Sequence, residues 1–164
     1  MKQIPLTQGK FALVDDQDYE FLMQWKWCAN KNHKTFYGVR GFWNCLKQIT
    51  VQMHRVIAKR MGLDIKDKKV DHIDRNGLNN CRGNLRIATN SQSQANRNKR
   101  KNNISGYIGV SEHKCRNNWH ARIQVNGNDI SLGYFTNKKD AAKAYNKAAL
   151  KYFGEFARLN NYDN

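Results

Sequence analysis

KKVDHIDRNGLNNCRGNLRIATNSQSQANR, residues 68–97, is the stretch that decides the fold of the first half of the chain. Its carboxylates are Asp71 and Asp74, which lie on either side of His72 among basic and amide side chains. The basic character indicates a polyanionic partner, and the Asp-His pair indicates chemistry performed on that partner. The segment KKVDH reads as a strand that runs into an Asn- and Gly-rich loop at 73–83.

Charge limits the class of partner. The chain has 164 residues, a net charge of +16 and a pI near 9.9, which favours a nucleic acid or an anionic membrane surface. It contains no run of about 20 apolar residues that would span a bilayer and no signal-peptide pattern, so we expect an intracellular, cytoplasmic protein. Four cysteines without a C-x-x-C pair are expected to be reduced and structural.

A basic stretch without carboxylates indicates where the domains divide. From Arg75 to Ser111 there is no acidic residue, and within this stretch the segment RNKRKNN (97–103) lacks periodic apolar residues. We interpret it as a basic linker between domains at 1–96 and 104–164. Taken alone, such a charge run is also typical of a solvated face.

The sequence patterns of both domains predict an α+β fold. The sequence of the N-terminal part predicts strands at 10–14, 35–43 and 48–53 and helices at 15–25 and 54–62. Asp15 is a plausible N-cap of the first helix, and Gly62 ends the second. The sequence of the C-terminal part predicts three strands, at 105–110, 118–125 and 129–135, and a final helix at 137–154. Because strand side chains alternate, one face of the middle strand is polar and carries Arg122 and Gln124. Such a face suits major-groove recognition, although any antiparallel sheet keeps a polar outer face.

The motifs SGYIGV, W-x-A-x-I and SLGYFTNKKDAAKAYNKAALKYFGEFARLN resemble the plant ethylene-response-factor (APETALA-type) DNA-binding domain. The resemblance implies a small three-stranded antiparallel sheet packed on one helix, which reads the DNA major groove. The aligned positions are Ser111, His113, Arg122, Gln124, Ser131 and Tyr134. Plant domains usually carry several arginines and a tryptophan on this face, so their base preference is not carried over to this chain.

The stretch VDHIDRNGLNNCRGNLRIAT, with IPLTQGKFALVDDQDYE and MHRVIAKRMG upstream, resembles HNH homing endonucleases of the phage or mobile-intron type. This resemblance implies a ββα-metal nuclease domain, with its motif at about 68–98. A second strand at 84–89 and a helix from about Asn90 would complete the motif. It also implies a DNA endonuclease that acts on bacterial or phage DNA.

His72 is the candidate general base, because imidazole is largely neutral at physiological pH. Asp71 supplies the carboxylate oxygen that Mg²⁺ prefers, and we expect one Mg²⁺ or Mn²⁺ ion per active site. The resemblance assigns Asn84 to the middle Asn, which fastens the loop and so orients His72. Ser93 stands where these enzymes usually carry an Asn or His metal ligand, so metal binding and activity are expected to be reduced. Three explanations stay open: Ser93 binds the metal through a water molecule, Asn96 takes over the role, or the substitution disables cutting while it preserves DNA binding.

We expect double-stranded DNA as the partner, no membrane, no small-molecule cofactor and a monomeric protein. Basic residues predicted to hold the DNA backbone are Arg75, Arg82, Arg86, Arg97, Lys99, Arg100 and Lys101. The predicted sheet surface contains Ser111, His113, Lys114, Arg116, Arg122, Gln124, Ser131 and Tyr134.

Two other functions remain open from the sequence. A transcriptional regulator with a degenerate nuclease half would explain Ser93, and an RNA-binding module would explain the charge but predicts exposed aromatics for stacking. His54 is expected to be a structural histidine with satisfied hydrogen bonds. The tryptophans Trp25, Trp27 and Trp43 are expected to be core or platform residues.

Overall fold

The computed structural model describes residues 1–32, 35–97, 99 and 102–162, without the side chain of Arg116. Among the predicted DNA-binding residues, Arg100 and Lys101 lie outside this part, as does the Arg116 side chain. The chain divides into two compact units, Met1–Ala88 and Thr89–Asn164. Within the described residues, no helix has the length and apolar character that crossing a lipid bilayer requires.

The first unit begins with a hairpin and a helix. Strands β1 (Lys2–Pro5) and β2 (Phe11–Val14) pair antiparallel, and helix α1 spans Asp16–Met23. Alternate strand residues and one helix face bury the core side chains Ile4, Ala12, Val14 and Leu22, as period-two and period-3.6 patterns require. Asp15 stands at the N-cap as predicted, but its carboxylate accepts the backbone N–H of Arg82 at 2.7 Å rather than capping the helix.

A three-stranded antiparallel sheet follows in the order β3-β4-β5, with strands Cys28–Asn32, Thr35–Asn44 and Lys47–Gln52. Helix α2 spans Met53–Arg60, and the chain leaves it through Gly62 at a φ of +76°. These elements agree with the predicted strands and helix, whereas β1 and β3 were not predicted. Trp27 is buried as expected for a core residue, whereas Trp43 is 76% exposed near the β4–β5 turn and is not part of the core.

The hairpin predicted around the Asp-His pair is present. Strand β6 (Lys69–His72) pairs antiparallel with β7 (Leu85–Ala88), and Asp71 lies opposite Arg86. A short 3-10 turn at Arg82–Asn84 leads into β7. His72 is the last residue of β6, so it stands where the regular strand gives way to the loop.

The second unit opens with helix α3 (Asn90–Ala95), which starts in a capping box between Thr89 and Gln92. The Ser91 hydroxyl accepts the backbone N–H of Asn126 at 3.1 Å. Arg158 donates to the carbonyl of Arg97 at 3.3 Å. Helix α3 is therefore hydrogen-bonded and connected within the C-terminal unit.

Strands β8 (Val110–His113), β9 (Asn118–Val125) and β10 (Asn128–Phe135) form an antiparallel sheet in the order β10-β9-β8. Helix α4 (Lys138–Phe153) packs its small residues and Tyr145 against this sheet, and the Asn137 side chain caps it by accepting the N–H of Lys139 at 2.8 Å. The predicted three-stranded sheet with one helix is confirmed, and so is the α+β class.

The predicted strand at 105–110 is wrong except at its last residue. Gly106 and Gly109 have φ values of +80° and +73°, which no regular strand allows. The Ser105 hydroxyl donates to the carbonyl of Val110 at 2.8 Å and folds the segment into a loop. A Cβ on Gly109 would lie 2.0 Å from the Tyr145 ring, so the loop needs glycine at this position.

The division between the two units falls after Ala88, ahead of the predicted linker at 97–103. Helix α3 is consequently counted with the C-terminal unit, although the sequence placed it in the domain 1–96. The functional boundary at 97–103 stays a prediction.

Candidate active site

His72 is buried at the end of β6, and its ring is hydrogen-bonded to an amide side chain. Its Nε2 lies 3.1 Å from Oδ1 of Asn80, a residue that is 1% exposed. The Asn80 amide nitrogen donates to the Leu78 carbonyl at 3.4 Å, which leaves Oδ1 to accept from the imidazole. Nε2 therefore carries the ring proton, and Nδ1 is the basic nitrogen.

Asn84 fastens the loop after His72 in the way the sequence predicts. Its Oδ1 accepts the backbone N–H of Asp74 at 3.0 Å, and its Nδ2 donates to the Asp74 carboxylate at 2.9 Å and to the Asn79 carbonyl at 2.7 Å. Asp74 also accepts the Asn76 N–H at 2.8 Å. The imidazole itself is hydrogen-bonded by Asn80, so the orienting role predicted for Asn84 acts through the loop that it fastens and stays a prediction.

Burial controls the protonation of the site. Desolvation lowers the pKa of His72, and hydrogen bonding by Asn80 and the charges of Asp74 and Asp71 offset only part of this shift. The pKa of Asp74 is also lowered, because hydrogen bonds from Asn76, Asn79 and Asn84 outweigh the burial that would raise it. At neutral pH the site therefore holds a neutral imidazole close to an ionised carboxylate.

Two aromatic side chains pack against the His72 ring. The His54 ring lies 5.0 Å from it in an edge-on arrangement, and the Tyr37 ring lies 5.8 Å away. Burial lowers the pKa of His54 to about 3, with smaller contributions from His72 and Arg55. Nδ1 of His54 has no hydrogen-bond partner among the described residues, so the expectation of a satisfied histidine is wrong.

Asp71 lies on β6 opposite Arg86. Arg86 donates to Oδ2 of Asp71 from two nitrogens, at 3.3 and 3.4 Å. These distances exceed the 2.7–2.9 Å typical of a tight ion pair, and the pair orients the carboxylate from the neighbouring strand. Its hard oxygen donors and partial exposure fit a divalent cation such as Mg²⁺.

The predicted metal ligands are divided between the two units. Asp71 and His72 belong to the first unit, whereas Ser93 lies half-buried on α3 and Asn96 is buried at its C-cap in the second. A shared ion therefore stays a prediction. In the described ranges, no three or more His, Cys, Asp or Glu side chains are grouped so that they could hold a metal ion.

Arg82 has a structural role in the first unit. It donates to both oxygens of Asp18, at 2.7 and 2.9 Å, and Arg60 donates to the same carboxylate at 2.8 Å. Asp18 is fully buried, and hydrogen bonding by Arg82 lowers its pKa. The prediction that Arg82 contacts phosphate is therefore wrong, because its guanidinium pairs with Asp18. Arg75, Arg97 and Lys99 are exposed, and their contacts with phosphate stay a prediction.

The predicted DNA-reading face of the second unit is exposed. Tyr134 stacks on His120 with ring centroids 4.6 Å apart, and His113 meets the edge of Tyr134 at 5.3 Å. The hydroxyl of Ser131 lies 2.9 Å from Nε2 of His120. The other exposed predicted residues on or beside these strands are Ser111, Lys114, Arg122 and Gln124.

Arg122 and Asp129 form an ion pair at 3.8 Å on this face. Both side chains are more than half exposed, so the pair is weak and solvent-screened. Asp129 partly neutralises the charge of Arg122, which is predicted from the sequence to contact DNA.

Three residues near His72 were not chosen as site residues from the sequence. Asn80 was interpreted as a loop amide, Tyr37 was not considered, and His54 was interpreted as structural. No sequence signal marked His54, because its burial and its contact with His72 depend on how α2 packs in the folded unit.

Comparison with known proteins supports the interpretation of this site. A family model described as HNH endonuclease matches residues 51–95. An uncharacterized HNH endonuclease of Acanthamoeba polyphaga mimivirus is 32% identical over 158 residues, covering 95% of this chain and 78% of the relative. The likeness extends across both units.

A second group of relatives matches only part of the chain. An AP2-like ethylene-responsive transcription factor of Oryza sativa, CRL5, is 44% identical over 61 residues, which is 36% of this chain and 9% of that protein. A second such factor, PLT2 of Arabidopsis thaliana, is 43% identical over 65 residues, or 36% of this chain and 11% of the factor. The chain thus spans about a tenth of the length of these plant relatives.

Proposed function

This chain belongs to the HNH endonuclease family, and from that premise we propose that it is a site-specific, metal-dependent DNA endonuclease of the homing type. The observation that carries the proposal is the His72 imidazole, which is buried, is hydrogen-bonded to Asn80 and directly follows Asp71 on β6. This site lies within the segment that the family model matches.

His72 acts as the general base. Its Nδ1 takes a proton from the water that attacks the scissile phosphorus, while Nε2–H stays hydrogen-bonded to Asn80. Because desolvation lowers the pKa of His72, the imidazole is neutral and able to accept a proton at physiological pH. Asn80 keeps the ring from rotating, which holds Nδ1 in one direction.

Asp71 would hold one Mg²⁺ or Mn²⁺ ion, with Ser93 or Asn96 as a further oxygen donor. When bound, such an ion stabilises charge on the phosphate and on the leaving oxygen. Arg86 orients the Asp71 carboxylate from β7 and would add positive charge beside a bound phosphate.

The substrate is double-stranded DNA. The net charge of +16 favours a polyanion, and Arg75, Arg97 and Lys99 are exposed for contacts with the phosphate backbone. The exposed face of β8–β10 and the likeness to plant transcription factors support a second module that reads the major groove. We propose a monomer that nicks one strand of bacterial or phage DNA in the cytoplasm.

A supercoiled-plasmid assay tests the proposal. The parent chain with Mg²⁺ or Mn²⁺ should convert plasmid to nicked circles, and EDTA should stop the reaction. His72→Ala should lose at least about 10²-fold in rate while retaining affinity for duplex DNA. No metal-dependent nicking by the folded parent, or equal nicking by His72→Ala, would contradict the assignment.

One observation favours a second candidate, a DNA-binding protein that does not cut. Ser93 occupies the position where the resemblance predicts an Asn or His ligand, and a hydroxyl is a weaker donor than either. Ser93→Asn distinguishes the two functions in the same assay. Nicking that appears only in Ser93→Asn would assign the natural chain to regulation by binding.

A further inference from the structure

The β4–β5 hairpin presents apolar side chains to solvent at its tip. Trp43 is 76% exposed and Leu46, in the two-residue turn between the strands, is 95% exposed. The other three tryptophans are buried or half-buried. Large apolar side chains exposed together at a tip indicate a contact surface rather than part of a core.

The tip lies on the same face of the sheet as the active site. Side chains of a strand alternate between faces, so Tyr37, Val39 and Trp43 project from one side of β4. Tyr37 contacts the His72 ring at 5.8 Å. At about 3.3 Å per residue, Trp43 is on the order of 20 Å from Tyr37, which corresponds to about six base pairs of duplex.

Charge identifies the partner of this face. From Phe21 to Leu63 the chain contains no acidic residue. The basic residues in this segment are Lys26, Lys31, Lys34, Arg40, Lys47, Arg55, Lys59 and Arg60. The Trp43 face itself carries uncharged hydrogen-bonding groups, with Gln48 opposite Trp43 and Thr50 opposite Gly41.

A cationic strand pair with an amide-rich face and an apolar tip is complementary to nucleic acid. Phosphates can meet exposed lysines of this unit such as Lys47 on β5, whereas the apolar tip suits the stacked bases. Indole is the largest aromatic side chain and stacks on any base. A protein partner would be expected to require apolar groups along the whole face rather than at its end.

We propose that Trp43 and Leu46 form a wedge that enters between base pairs of the substrate duplex about half a helical turn from the scissile phosphate. The inference rests on the proposed function for the identity of the substrate. Partial unstacking bends the duplex and brings more of its backbone onto the protein. The wedge thereby helps to place the scissile phosphate at His72.

The test uses the full-length chain and a 40-base-pair duplex of mixed sequence. Affinity is measured for the parent, Trp43→Ala and Leu46→Ala. The matched control is Leu150→Ala, which removes a 53% exposed leucine on α4. We expect Trp43→Ala to weaken binding about tenfold, Leu46→Ala to weaken it less, and Leu150→Ala to leave it unchanged.

Two spectroscopic and chemical measurements identify the wedge itself. DNA should quench the tryptophan emission of the parent more than that of Trp43→Phe, because stacking on bases quenches indole. Thymines in the bound duplex should react with permanganate in the parent complex and lose that reactivity in Trp43→Ala. Thermal unfolding monitored by circular dichroism should be the same for all variants, since the tip is exposed.

Unchanged affinity together with unchanged permanganate reactivity in Trp43→Ala overturns the wedge. So does a parent that self-associates through Trp43 and becomes monomeric in Trp43→Ala without any effect on DNA. If the parent nicks plasmid while these results are negative, the wedge fails and the nuclease assignment stands. A folded parent that neither binds duplex nor nicks plasmid overturns both.

Discussion

His72 and His120 lie on strands of the two units in opposite environments. His72 is 5% exposed and its Nε2 is held by a buried amide, whereas His120 is stacked on an exposed tyrosine and hydrogen-bonded to an exposed serine. The first environment fixes one tautomer and one direction of the ring. The second leaves the side chain accessible to a ligand.

This difference shows how the two units use their polar groups. In the first unit, hydrogen bonds at the base of the loop orient a reactive side chain, so its supporting residues are buried and interdependent. In the second unit, the sheet and helix only present a surface, so individual polar side chains can change at little cost to folding. Substitutions should therefore have large structural effects in the first unit and small ones on the second unit's exposed face.

The largest expected effect is on the stability of the first unit. Asp18→Ala leaves Arg82 and Arg60 without their buried carboxylate and should lower the free energy of unfolding by about 3 kcal/mol, a value limited by the partial exposure of both arginines. Asp129→Ala, which removes an exposed carboxylate 3.8 Å from Arg122, is the matched control and should change stability by less than about 1 kcal/mol. Urea titration of both variants measures their free energies of unfolding. Equal losses of stability would contradict the difference expected between the two units.

The same aspartate makes stability depend on pH. Because the folded-state pKa of Asp18 is below its ordinary value of 3.8, its contribution is present above pH 3.8 and is lost as pH falls through the folded-state value. The parent should therefore lose more stability between pH 5 and pH 3 than Asp18→Ala does.

An intermediate effect is expected for catalysis in Asn80→Ala. Without Asn80 the imidazole can rotate and change tautomer, so the cleavage rate should fall about 10- to 100-fold. The Asn80 hydrogen bond raises the pKa of His72, so its removal lowers that pKa further and moves the acid limb of the rate profile to lower pH. A merely destabilised variant would cleave more slowly without this shift, and a profile that stays in place would contradict the role of Asn80.

The smallest effect is expected on the exposed face of the second unit. Arg122→Ala should weaken duplex binding by about 1 kcal/mol and reduce the salt dependence of binding by about one phosphate contact. Asp129→Asn should strengthen binding slightly, because it removes a negative charge beside Arg122. Binding measured at several salt concentrations tests both, and a rise in affinity for Arg122→Ala would exclude this face as a DNA contact.

The sequence predicted the hairpin of β6 and β7 because an Asp-His pair before an Asn- and Gly-rich loop is a local pattern. It did not distinguish Asn80 from Asn84, since both are loop amides and only the path of the chain decides which one reaches the imidazole. The burial of His54 depends on how α2 packs against residues distant in the chain. The hydrophobic pattern of the helix alone does not predict such packing. The segment 105–110 has strand composition, but the positive φ values of its glycines are set by tertiary contacts such as Gly109 with Tyr145.

Helix α3 is joined to the C-terminal unit by the bond between Ser91 and Asn126 and through the bond between Arg158 and Arg97. In a chimera that receives a new recognition module, a junction in the basic segment 97–103 would separate this helix from those partners. A junction after Ala88 keeps them together and carries Ser93 along with the module. Swapping modules at that point would then exchange a predicted metal ligand together with the target preference, so specificity and cutting could change in a single step of gene fusion.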